Sequence, residues 1–118
     1  MPFIDLPTVP EFELLPGVRL RTPYGKNIML SYVNLDEGAV VPVHHHPHEQ
    51  AGIVVNGQLE LTIADETRIL GPGAMYIVPA NVPHAARAVG GSATVMDVFS
   101  PIREDYAQRL NSYIPAVS

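Results

Sequence analysis

Cysteine is absent from the 118 residues. That excludes disulfides and thiolate ligation, so any metal must be held by nitrogen and oxygen donors. Cations are scarce: seven Lys and Arg stand against twelve Asp and Glu, the formal net charge is -5, and no run of Lys or Arg occurs. Neutralising a phosphate backbone requires clustered cations, so nucleic acid is not expected as a partner. No apolar run approaches the ~20 residues that span a bilayer. The opening stretch MPFIDLPTVPEFELLPG is acidic and carries four prolines, unlike a secretory signal. These absences lead us to expect a cytoplasmic protein with no membrane partner.

Proline and glycine are abundant instead, twelve and nine, and they punctuate short apolar runs in the pattern of an all-β sandwich or barrel. Strands are expected at 18–22, 27–35, 50–55, 58–64, 67–70, 74–79, 84–89 and 93–100. Asn56-Gly57 reads as a type I′ hairpin turn, Asp65-Glu66 and Gly71-Pro72-Gly73 as further turns. Ile102, Tyr106 and Leu110 recur at four-residue spacing after Ser100, a candidate N-cap, and Pro101 at the first helical position, which predicts one short C-terminal helix. Residues 1–16, with Pro2, Pro7, Pro10 and Pro16, read as an extended arm, and 17–118 as a single domain. The runs GIVV and AMYIV are apolar on both faces, so something must cover the outer one. A homodimer packed through that face is the expectation.

Four of the five histidines fall within VPVHHHPHEQAG, residues 41–52. In an extended strand His44 and His46 project to one side and His45 to the other. Pro47 breaks the strand, and Gln50 can swing its amide oxygen toward the point where the two imidazoles meet. His84, opening a later strand, supplies a third imidazole. Such a set leaves one or two positions of a six-coordinate divalent metal open to water or substrate. His48 and Glu49 are lesser candidates, placed at the corner and competing with Gln50. A neutral amide in place of a carboxylate leaves the site one charge more positive, which favours an anionic substrate.

Asp97 interrupts the apolar run ATVMDVFS, where an unpaired buried carboxylate costs several kcal/mol. Phe99 shares its face, and Arg103 follows just past the strand end. One reading makes Asp97 and Arg103 a structural ion pair or helix cap. The other makes Asp97 a general acid or base beside the metal and Arg103 a fork for a substrate carboxylate.

Gly38-x5-His44-x-His46-x3-Gln50-x6-Gly57 resembles the first cupin motif, with Gln50 where many members carry glutamate. Gly73-x5-Pro79-x-Asn81-x2-His84 resembles the second, with Asn81 at the usual glycine position. The resemblance implies a double-stranded β-helix barrel. HHHPHEQ (44–50) and DVFSPIREDY (97–106) further resemble the KdgF-type pectin-degradation cupins. That likeness implies one divalent metal held by His44, His46, Gln50 and His84, with Asp97, Phe99 and Arg103 in the active site. The implied substrate is a small carboxylated sugar, and the implied reaction is opening and ketonisation of 4,5-unsaturated uronates. The metal can be zinc, manganese, nickel, iron or cobalt. Competing readings are a polyketide-cyclase-like cupin, for which Met29, Met75, Met96 and Tyr76 are candidate lining of an aromatic-accepting cavity, a dioxygenase cupin and a non-catalytic binder of small acids or sugars.

Overall fold

Across Ala93–Ser100, Ala93, Val95, Asp97 and Phe99 are buried while the residues between them are half-exposed. This period of two is that of a strand with one face on a core. The computed structural model describes residues 3–109. In chain order its strands are β1 (Phe12–Leu15), β2 (Val18–Arg21), β3 (Met29–Leu35), β4 (Val40–His44), β5 (Glu49–Asn56), β6 (Leu59–Ile63), β7 (Glu66–Leu70), β8 (Met75–Val78), β9 (His84–Ala88) and β10 (Ala93–Ser100), followed by the helix α1 (Glu104–Gln108).

The strands form two antiparallel sheets, one of six in the order β1-β2-β3-β10-β5-β8 and one of four in the order β4-β9-β6-β7. Their inner faces close on a core that includes Leu20, Met29, Leu35, Val54, Leu59 and Leu61. The all-β barrel expected from the sequence is therefore the fold, and its two walls are the two sheets.

Three local expectations are corrected. Asn56-Gly57 does not turn a hairpin, because β5 pairs with β10 and β8 while β6 pairs with β7 and β9. Asn56 stays in the ladder opposite Thr94, and only Gly57 takes a positive φ, 75°. The chain crosses there from one sheet to the other. The turn placed at Asp65-Glu66 falls one residue earlier, with Ala64 at φ 54° and Glu66 already in β7.

The helix also begins later than Ser100. That residue ends β10 opposite Glu49, and its hydroxyl donates to the Asn27 carbonyl at 3.1 Å, so it is not available as a cap. Arg103 occupies the N-cap position instead. Tyr106 is buried in the core, and Leu110 lies outside the described residues. Within residues 1–16, Phe12–Leu15 pair with β2 at the edge of the larger sheet.

The outer face of the larger sheet is apolar. Ile53, Val55, Met75 and Ile77 are exposed on β5 and β8, and Leu30, Tyr32, Met96 and Val98 are half-exposed on β3 and β10. Among the described residues no helix is long and apolar enough to cross a membrane.

Candidate metal centre

His44 ends β4 and His84 opens β9, and the ladder sets them directly opposite one another. His46 lies two residues beyond the strand, so the corner brings it to the site rather than the strand pleat. Its carbonyl accepts the Asn81 backbone N–H at 2.8 Å, and Asn81 takes φ 65°, the left-handed conformation for which glycine is the usual residue. The corner is thereby tied to the turn that leads into His84. One nitrogen from each of the three rings lies within 4.8 Å of the others.

The hydrogen bonds select the tautomer. The Nδ1 of His44 meets the Pro42 carbonyl at 2.8 Å, that of His84 the Val82 carbonyl at 2.8 Å, and that of His46 the His48 carbonyl at 3.1 Å. A carbonyl only accepts, so each Nδ1 carries the proton and each Nε2 keeps its lone pair. The Nε2 atoms of His46 and His84 and the Oε1 of Gln50 are buried without a hydrogen-bond partner among the described residues. Leaving such atoms unpaired costs about 1–3 kcal/mol each. Lone pairs of two imidazoles and an amide, buried and unspent beside His44, fit a divalent metal as fourth partner.

Burial drives the His46 pKa down to about 4, with the positive charge of Arg103 assisting, and burial also lowers that of His84. Both are neutral near pH 7, the state a metal requires. Of the lesser candidates, Glu49 is exposed and His48 lies outside the three-histidine group, its ring 5.4 Å from that of His46. His45, expected to project away from the site, is exposed.

Asp97 lines the same cavity as His44, Gln50 and His84. It does not pair with Arg103. The Tyr76 hydroxyl donates to its Oδ1 at 2.6 Å, and the Gln50 side chain lines the cavity with it. Burial outweighs the help that Tyr76 and Gln50 give the charged form and pushes the carboxyl up to about 6.

Arg103 is buried, with its guanidinium 4.1 Å from the centre of the Tyr106 ring and 5.1 Å from that of Phe99. Its Nε and Nη2 donate to the two carboxylate oxygens of Asp105 at 3.1 and 2.9 Å. Nη1 has no such partner among the described residues. A recess of about 220 Å³ adjoins the cavity, with His44 and Arg103 lining both.

Gly52 and Asp105 are not singled out by sequence as parts of this site, and Tyr76 is read there only as candidate cavity lining, not as the partner of Asp97. Gly52 did offer a signal, since a glycine inside an apolar strand often marks a close approach of other groups. Of Met29, Met75, Met96 and Tyr76, the candidate lining of an aromatic-accepting cavity, Tyr76 lines the cavity and the three methionines do not.

Residues 31–99 match the family model described as the cupin domain. The protein belongs to the cupin family. This cupin is 32% identical over 106 residues to the pectin degradation protein KdgF of Dickeya dadantii, a match covering 88% of the chain and 96% of the relative. It is 43% identical over 61 residues to the H2HPP isomerase of Bacillus subtilis, which covers 51% of the cupin and 25% of that relative. Among solved structures, KdgF from a Halomonas species superposes with a TM-score of 0.82 at 32% identity, over 88% of this chain and 96% of that one.

Proposed function

We propose that this cupin is a metal-dependent isomerase that opens and ketonises 4,5-unsaturated uronate monomers, as in pectin or uronate catabolism. The observation that carries the reading is the meeting of a buried carboxylate, Asp97, with His44, His84 and the Gln50 amide in one cavity that Arg103 also lines, with His46 completing the three-imidazole group. The likeness to two proteins named KdgF supports the choice of substrate.

In this reading His44, His46, Gln50 and His84 hold one divalent ion. When bound, that ion supplies Lewis-acid polarisation of substrate oxygens. Ketonisation removes a proton from the enol oxygen and adds one to the neighbouring carbon. Asp97 carries that proton, because burial poises it to exchange near neutral pH. Arg103 holds the uronate carboxylate with its remaining N–H donors. Phe99, 5.6 Å from His46 ring to ring, forms a dry wall between the metal ligands and the guanidinium.

The partners in this reading are a small anionic substrate and a second copy of the chain. We propose that the apolar outer face of β3, β10, β5 and β8 packs on its counterpart in a homodimer. The place of action proposed is the cytoplasm.

The test is to incubate metal-loaded protein with a 4,5-unsaturated galacturonate monomer and follow loss of the enol-conjugated ultraviolet absorbance against a no-protein control. Acceleration that vanishes in Asp97→Asn and His84→Ala is the expected result. No acceleration by metal-bound protein overturns the reading and leaves the polyketide and oxygen-consuming chemistries of other cupins to be tried.

A further inference from the structure

Tyr76, Gly52 and Asp97 form one transverse row across three neighbouring strands: Gly52 of β5 is the register partner of Tyr76 on β8 and of Asp97 on β10. Two strand spacings separate the backbones of the outer pair, about 10 Å. A tyrosine and an aspartate can meet over that distance only if the middle position carries no side chain. Position 52 satisfies this requirement. A Cβ there would collide with Asp97 Oδ1 and with the Tyr76 ring, so the pair lies directly over the glycine backbone. The Tyr76 hydroxyl then closes on Oδ1 at 2.6 Å.

The row continues toward the ligand cluster. Gln50 stands two residues before Gly52 on β5 and lines one cavity with Tyr76 and Asp97. Its amide oxygen is buried without a partner among the described residues. A carboxylate accepts, so an amide that turns its N–H₂ toward Asp97 leaves that oxygen for other use. In such a row the orientation of the carboxylate sets that of the amide.

We propose that Tyr76, seated over Gly52, is the positioning residue of this site: it fixes the orientation of Asp97 and, through it, of the Gln50 amide. Tyr76 does not touch the reacting atoms. It removes the freedom of a carboxylate that must meet one carbon and one oxygen of the substrate, and Gly52 provides the space that makes this contact possible. A tyrosine that merely filled the core would serve equally well as phenylalanine, because the ring is unchanged and only the oxygen is lost.

The role in turnover rests on the uronate reading, whereas the positioning itself does not. Metal-loaded wild type and Tyr76→Phe are therefore compared by crystallography and by steady-state kinetics. In Tyr76→Phe we expect the Asp97 carboxylate and the Gln50 amide to leave their wild-type orientations. We expect kcat to fall on the order of tenfold to a hundredfold, KM to stay within about twofold, and metal content to stay at the wild-type level. Gly52→Ala, which keeps the hydroxyl but drives the pair apart, should reproduce the loss in kcat. Unmoved Asp97 and Gln50 side chains in the Tyr76→Phe crystal structure overturn the proposal, as does a wild-type kcat in that variant. If wild type does not convert the uronate, the functional reading fails, and the crystal structures alone decide whether Tyr76 positions Asp97.

Discussion

His44 and His84 face each other across the β4–β9 ladder with their rings 4.2 Å apart, each tied at Nδ1 to a carbonyl of its own strand approach. Two imidazoles held so close, with the second nitrogens left free, share a ligand more readily than they pack as neutral rings. His84→Ala should therefore lower metal affinity by more than about a hundredfold, beyond the loss typical of an outer-shell partner. Metal content after dialysis against a graded chelator buffer checks this. Retention of one equivalent by the variant would remove His84 from the ligand set.

Asp97 gives the metal-free protein a distinctive pH dependence. Its folded pKa, about 6, lies above the ordinary 3.8, so the folded chain holds this proton more tightly than the unfolded chain. Burial of the carboxylate thus opposes folding above pH 6, and the opposition fades as the pH falls toward 4. Asp97→Asn stays neutral throughout. It should exceed wild type in stability by about 1–3 kcal/mol at pH 8 and lose most of that margin at pH 4.5. His46, lowered to about 4, acts in the opposite sense, destabilising both proteins as the pH drops from 6.5 toward 4, and cancels in the difference. Urea unfolding with chelator present reads the margin; a margin independent of pH would mean that Asp97 titrates as an exposed carboxylate does.

Arg103 is held by stacking and by a two-point bond to Asp105, with its Nη1 uncommitted among the described residues. Lysine has no planar fork and cannot satisfy Asp105 and a substrate carboxylate together. Arg103→Lys should raise KM for the uronate by roughly tenfold or more, the value of one charge-assisted contact, with a smaller change in kcat. An unchanged KM would show that the carboxylate is bound elsewhere.

The apolar outer face makes a prediction about assembly. Ile77 is 64% exposed and Met75 76% on the edge strand β8, beside Ile53 and Val55. Ile77→Glu places a charge on that surface, and burying it against a second copy is unfavourable. Light scattering should give a dimer for wild type and a monomer for the variant, with little change in metal content. A monomeric wild type would remove the homodimer and leave the face without an assigned partner.

The spacing of glycines and prolines between short apolar runs was enough to indicate an all-β barrel, because strand periodicity and turn chemistry are local properties. The set His44, His46, Gln50 and His84 was implied by the likeness to the cupin motifs, whereas strand parity alone put His46 on a pleat that ends at His44. Asp97 was also legible, as a carboxylate has no reason to stand in an apolar strand unless something pairs with it. Other features were decided only by the tertiary structure. Asn56-Gly57 looks like a hairpin locally, yet β5 finds its partners in β10 and β8, and long-range pairing overrode the turn signal. Ser100 has the form of a helix cap until the ladder claims it. The partner of Asp97 is Tyr76, 21 positions away, and not the nearby Arg103. That choice depends on which strands lie side by side and on the bare backbone of Gly52 between them, a relation that exists only once the sheet has formed.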